Sequence, residues 1–223
     1  MPKTLPTPKL VIFDCDGVLV DSEVVSNQAL VENLARYGLK LELAQCMDLF
    51  VGGTMADVKD KAQGLGADLP PNWIDEVYQE TYASLRGGVP LVTGIPELLA
   101  LLDRVAIPCC VASNGSDDKM HITLGQNGLW DRFHPDVMFS AHTLGVAKPE
   151  PGLFLAAASH FDVHARDCLV IEDSANGATA ALRAGMRCLG YAPDGGGKRL
   201  VAQGAELFDD MAMVPGLIGL GDR

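Results

Sequence analysis

The sequence has no run of about 18 consecutive uncharged apolar residues, so it offers no segment that reads as a membrane-spanning helix. It has no basic excess either. Acidic side chains number 29 against 17 basic ones, a formal charge of -12, which argues against nucleic acid or an anionic membrane as partner. A small anion can still bind such a chain where local positive charge offsets the field. Disulfide and zinc frameworks are missing too. Cys15, Cys46, Cys109, Cys110, Cys168 and Cys188 contain no C-x-x-C pair. Cys15, Cys110 and Cys168 lie in or beside apolar runs and read as small buried hydrophobes of a reducing compartment. The five histidines read as surface or core residues, not as metal ligands. The stretch from Met1 to Lys9 carries Pro2, Pro6 and Pro8 and no apolar segment, unlike a secretory signal. A cytoplasmic location is expected. No internal repeat or low-complexity segment is visible.

What the chain does have begins at Leu10-Val11-Ile12-Phe13, four apolar residues that read as a strand buried on both faces. The run stops at Asp14-Cys15-Asp16-Gly17. Two carboxylates at the end of a buried strand repel each other and lose hydration, and a hard divalent cation between them would remove that cost. A solvated turn closing the strand explains the same four residues about as well.

Beyond this point the pattern is helical for a long stretch. Ser22 or Asp21 can cap a helix running to about Gly38. Leu41 to Phe50, Met55 to Leu65 and Trp73 to Leu85 are each bounded by Gly or Pro. After Pro90 the character changes. Helices over 94–106, 116–127, 154–161 and 175–184 alternate with short apolar runs at 109–112, 137–140, 168–171 and 187–191. Strands alternating with helices of this length predict an α/β fold: a Rossmann-like parallel sheet covered by helices on both faces. The helical block is then an insertion. The expected division is a core of residues 1–19 and 90–223, with an all-helical cap of residues 20–89 placed after the first strand.

In an open parallel sheet, ligands bind beyond the carboxyl ends of the strands. Here the first run ends in Asp14 and Asp16, the second in Ser113-Asn114-Gly115, and the run 168–171 in Glu172-Asp173-Ser174. Lys148-Pro149 follows the 137–140 run by one loop. Each has a plain explanation alone: a turn, a helix cap, a solvated lysine. Together they place acids, a hydroxyl and a lysine on one edge.

These four segments, Asp14-x-Asp16-Gly17-x-Leu19-x-Asp21-Ser22, Ser113-Asn114-Gly115, Lys148-Pro149 and Glu172-Asp173-Ser174, resemble the ordered motifs of the haloacid dehalogenase superfamily. More narrowly they resemble its phosphatase and β-phosphoglucomutase-like branch, in which a helical cap follows the first motif. Lys119-Met120 and the stretch from Pro135-Asp136 to Lys148-Pro149 are similar to bacterial sugar-phosphate phosphatases of the 6-phosphogluconate phosphatase type.

The resemblance implies a Mg²⁺-dependent phosphomonoester hydrolase working through an aspartyl-phosphate, on a small metabolite such as a sugar phosphate. Asp14 would be the nucleophile and Asp16 the general acid and base, its pKa raised by neighbouring carboxylates. Lys148 would stabilise charge. Ser113, Asn114 and Gly115 would bind phosphate at a helix N-terminus. Mg²⁺ would be held by Asp14, the Asp16 carbonyl and Asp173, with Glu172 acting from behind or through water. In the cap, the turn Gly52-Gly53-Thr54 would touch the leaving group, a plain interhelical turn being as good a reading. The arginine that β-phosphoglucomutases carry near here is missing, with Met55 in its vicinity, although Lys59 and Lys61 are close by. A sugar phosphomutase is therefore the second reading. Dehalogenation is disfavoured because Asp16 is present. A non-catalytic receiver-like module is remote, since receivers carry no such helical insertion. The expected assembly is a monomer or weak dimer.

Overall fold

The computed structural model describes residues 7–50 and 54–220. Two compact units emerge: Met1–Val20 with Leu91–Arg223, and Asp21–Pro90.

The first unit is a six-stranded parallel sheet in the order β3-β2-β1-β4-β5-β6. Its strands are β1 (Leu10–Phe13), β2 (Cys109–Ser113), β3 (Met138–Ser140), β4 (Cys168–Glu172), β5 (Arg187–Tyr191) and β6 (Glu206–Phe208). This is the α/β arrangement expected from the alternation of apolar runs and helices. Every residue of β1 and β4 is buried, as the unbroken apolar runs require for strands covered on both faces. On one face Leu10, Ile12, Cys110, Ala112, Cys168 and Val170 pack with Leu153, Phe154 and Ala157 of the helix Gly152–His160. Ala178, Ala180 and Ala181 of the helix Ala175–Ala184 join the same core. The small alanine side chains let that helix lie close to the sheet. The sixth strand was not expected. Its three residues are too few to show a pattern, and Glu206 and Leu207 are exposed.

Register decides what the sheet can do. Phe13 lies beside Val111 on one neighbour and Ile171 on the other. The next residues, Asp14, Ala112 and Glu172, therefore lie at one level, and Ser113 lies beside Ser140. All strands point the same way, so their polar ends share one edge.

The second unit contains α1 (Glu23–Arg36), α2 (Leu43–Phe50), α3 (Met55–Gly64) and α4 (Trp73–Leu85). Leu30, Leu34, Cys46, Phe50, Val58, Ala62, Trp73 and Val77 form its apolar core. A polar network ties α1 to α4. The fully buried Asn33 accepts from Trp73 Nε1 at 2.6 Å and donates to Glu80 at 2.9 Å. Arg36 reaches Glu80 at 2.5 Å, and the Tyr37 hydroxyl donates to Glu76 at 2.7 Å. The expected cap of α1 is not made. Ser22 precedes the helix with helical angles (φ -96°, ψ -12°), so its side chain makes no capping hydrogen bond.

Candidate active site

Asp14 follows β1 directly, its N–H donating to Ile171 O at 3.0 Å. The chain then reverses over Asp14–Val20, with Gly17 N–H donating to Val20 O at 2.8 Å. Gly17 has φ +74°, and a Cβ there would lie 1.9 Å from Asp173 Oδ2. Glycine is thus required on two grounds: left-handed backbone, and close approach to a carboxylate from another strand end. The D-x-D-G signature is a tight turn that brings the first and fourth motifs together.

At the centre stands Lys148, 4% exposed. Its ammonium donates to Asp14 Oδ1 and, at 2.5 Å, to Glu172 Oε1, while the Phe154 ring lies 5.1 Å below it. Glu172 is fully buried and saturated. Its second oxygen accepts from Asp173 N–H (3.1 Å), Ser174 N–H (3.0 Å) and Ser174 Oγ (2.9 Å). Behind it, a Cβ on Gly177 would fall 1.8 Å from Glu172 Oε1, so the helix Ala175–Ala184 starts with a glycine pressed on the carboxylate.

Asp14, Glu172 and Asp173 offer oxygens within 4.8 Å of one another. Three carboxylates against one ammonium leave an excess of negative charge in a poorly hydrated place. Burial is the largest influence on Asp14 and pushes its pKa up to about 7, with Lys148 pulling it back and Glu172 and Asp16 adding to the rise. For Lys148, burial works against the charge, but Asp14 and Glu172 together outweigh it and raise its pKa. An oxygen-only donor set with surplus negative charge fits a hard divalent cation such as Mg²⁺. Glu172 spends its oxygens on Lys148 and on the start of a helix, which leaves Asp14 and Asp173 as the side chains able to hold it.

The second motif flanks this cluster. Ser113 is buried and its Oγ accepts from Gly115 N–H at 3.0 Å. The Gly115 Cβ position is 3.6 Å from Asp16 Oδ2, which places the loop against the second aspartate. Ser140 Oγ donates to Gly115 O at 2.9 Å and ties the loop to the end of β3. Ser116 caps the helix Asp117–Gly125 by accepting from Lys119 N–H. The Asn114 side chain bonds the backbone of Lys148.

Sequence reasoning missed Lys119 as a site residue. Its ammonium lies 2.8 Å from Asp16 Oδ2. Burial disfavours the charge on Lys119, yet Asp16 more than compensates and raises its pKa. The setting expected for Asp16, a crowd of carboxylates, thus includes a cation. The available signal was position: Lys119 lies in the first turn of a helix that begins at the site edge, where its side chain points back toward that edge.

The cap turn is only partly in view, because Gly52 and Gly53 lie outside the described residues. Thr54 accepts from Asp57 N–H and donates to Asp57 Oδ2, a capping box that occupies its hydroxyl. Lys59, half-buried, and Lys61, exposed, donate to the carbonyls of Pro71 and Leu49. His160 and His164 stand four apart, a ligand spacing on a continuous helix. The helix ends at His160 and Asp162 follows with φ +52°, while His164 Nδ1 accepts from Arg166 N–H, so the spacing makes no site.

Comparison with known proteins agrees with this geometry. A family model described as haloacid dehalogenase-like hydrolase matches residues 8–185. The 6-phosphogluconate phosphatase of Escherichia coli is 31% identical over 208 residues, covering 93% of each chain. A conserved haloacid dehalogenase-like protein from Agrobacterium tumefaciens superposes with TM-score 0.84 at 30% identity, over 94% of this chain and 97% of that one. A hydrolase from Deinococcus radiodurans, solved with bound phosphate and sodium, gives 0.81 at 29% identity, over 96% and 97%.

Proposed function

The chain belongs to the haloacid dehalogenase-like hydrolases, and from that membership we propose that it is a Mg²⁺-dependent phosphomonoesterase of small phosphorylated metabolites, sugar phosphates above all. The observation that carries the reading is the buried contact of Asp14 with Lys148 beside two further acids. The activity of the Escherichia coli relative and the phosphate in the Deinococcus structure support the substrate class.

In this reading Lys148 fixes one oxygen of Asp14 so that the carboxylate attacks phosphorus in line. The Asp14 O–P bond forms as the bond to the leaving alcohol breaks. Asp16 donates a proton to that alcohol, then takes one from the water that hydrolyses the aspartyl-phosphate. Lys119 holds the Asp16 carboxylate in place between these steps. The Ser113 hydroxyl, held by the hydrogen bond that it accepts from Gly115 N–H, and the Asn114 N–H bind phosphoryl oxygens, and Lys148 offsets their charge. Asp14, Asp173 and the Asp16 carbonyl would hold Mg²⁺, which when bound supplies the remaining positive charge. Glu172 keeps Lys148 in position from behind. The insertion of residues 20–89 would act as the cap. A cytoplasmic location accords with six unpaired cysteines.

The test is phosphate release from p-nitrophenyl phosphate with and without Mg²⁺, followed by a panel of phosphometabolites including 6-phosphogluconate and hexitol phosphates. Metal-dependent release by the wild type that Asp14→Asn abolishes is the expected result. Equal release by the Asp14→Asn variant would refute the reading. A requirement for a bisphosphate activator, with little free phosphate, would point to the mutase instead.

A further inference from the structure

The side-chain amide of Asn114 meets the peptide groups on both sides of one residue. Its Oδ1 accepts from Lys148 N–H at 2.8 Å, and its Nδ2 donates to Lys148 O at 3.2 Å. The two residues are 34 positions apart and sit in different motifs. The contact is part-buried, and it consumes an acceptor and a donor of the amide. We propose that Asn114 is a positioning residue for Lys148: it pins the lysine backbone to the phosphate loop, so that the ammonium and the phosphoryl-binding groups of that loop are placed as one rigid piece. The proposal rests on the phosphatase reading above and adds a part for the Asn114 side chain to that of its backbone N–H. The side chain does not bind phosphate; it acts through Lys148.

Physical reasons favour this pairing. Lys148 has a long flexible stem, and its ammonium must serve Asp14 and Glu172 at once. Glu172 anchors the tip of the side chain, whereas the backbone lies in a loop between the short helix Ala141–Leu144 and the helix Gly152–His160, outside any strand. An amide that accepts and donates across the same residue fixes the position and orientation of that backbone, which one hydrogen bond cannot do. The loop at the other end is itself held, through Gly115 O accepting from Ser140 Oγ. A displacement of about 1 Å at a charge-stabilising group is enough to cost on the order of 100-fold in rate.

The experiment is a double-mutant cycle on p-nitrophenyl phosphate with Mg²⁺, using Asn114→Ala, Lys148→Ala and the double variant, alongside amide hydrogen exchange of Lys148. The positioning role requires Asn114→Ala to lose about 10- to 100-fold in kcat with KM nearly unchanged. The double variant should then be no slower than Lys148→Ala within about twofold. The Lys148 amide should exchange faster in Asn114→Ala. Asn114→Asp, which keeps the acceptor and loses the donor, should retain amide protection and fall between wild type and alanine in kcat, guarding against simple loss of folding. Losses that multiply in the double variant, or a raised KM with unchanged kcat, would overturn the proposal. So would unchanged Lys148 exchange in Asn114→Ala, a measurement that needs no activity. Failure of the phosphatase reading would look different: no metal-dependent phosphate release by the wild type, with the exchange result intact.

Discussion

Each unit of this protein buries polar side chains, and the two do it in opposite ways. In the helical unit, Asn33 is fully buried, yet Trp73 and Glu80 satisfy it, and Arg36 and Tyr37 satisfy Glu80 and Glu76. That network is satisfied by its own hydrogen bonds, and its charges reach solvent, which screens them. At the sheet edge, Asp14, Glu172 and Asp173 gather around a single ammonium, and hydrogen bonds cannot remove the excess negative charge. A satisfied network stabilises a fold. An unbalanced one stores affinity for whatever restores the balance, here a cation and a phosphoryl group.

The sharpest way to break the contrast is to remove one charge from the sheet-edge cluster. Asp14→Asn should lower kcat by about a thousandfold or more while leaving the melting temperature unchanged or higher, since a buried carboxylate among like charges is removed. A lower melting temperature with activity retained would reverse the roles assigned to the two clusters.

Next in size is Gly177→Ala. The new methyl would fall inside contact distance of Glu172, so the carboxylate or the helix must move. Destabilisation of about 1–3 kcal/mol is expected from overpacking, together with a large loss of kcat as Lys148 loses its anchor. Denaturant unfolding and phosphate release check it, and an alanine variant with wild-type kcat would show that Glu172 is dispensable for placing Lys148.

Cation binding should separate the units without any mutation. At 100 times its Kd, Mg²⁺ should add about 2.7 kcal/mol to the stability of the sheet unit. Amide exchange should slow in β1 and β4 and stay constant in α1 and α4. Asp173→Asn should remove the effect. Slowing throughout both units would mean that the cation acts elsewhere.

Much of this was legible in the sequence, and the limits have physical causes. β1 and β4 could be read because strands buried on both faces are apolar without interruption, and all the motifs but that of Lys148, which lies one loop further on, directly follow an apolar run. β6 was hidden by its shortness and exposure. Lys119 was hidden because a helical lysine is usually solvated, and only the folded position of Asp16 makes it a partner. The Asn33 network was invisible for a similar reason: an asparagine on an otherwise apolar helix face reads as exposed until Trp73 and Glu80 arrive from a helix 40 and 47 positions on. The link from the Asn114 side chain to the backbone of Lys148 was hidden because sequence shows motifs one at a time, and this partner belongs to another motif.

The smallest expected effect concerns the closed network and acid. Arg36 is the chief cause holding the Glu80 carboxyl below its ordinary value of 4.5, with burial opposing and Asn33 assisting. A carboxyl whose folded pKa is depressed contributes stability that is present above the unfolded value and lost as pH falls through the folded one. Glu80 is about one-third exposed, so solvent screens the pair and the contribution should stay within about 1 kcal/mol. Acidification below pH 4.5 should therefore lower the amide protection factors of α1 and α4, taken against the intrinsic exchange rate at each pH, slightly in the wild type and less in Glu80→Gln, which starts lower and has no charge to lose. The same step in salt should shrink the difference between the two proteins. If Glu80→Gln instead matches the wild type at neutral pH, the network is held by the Asn33–Trp73 bond and the core beneath it, and its charges are incidental.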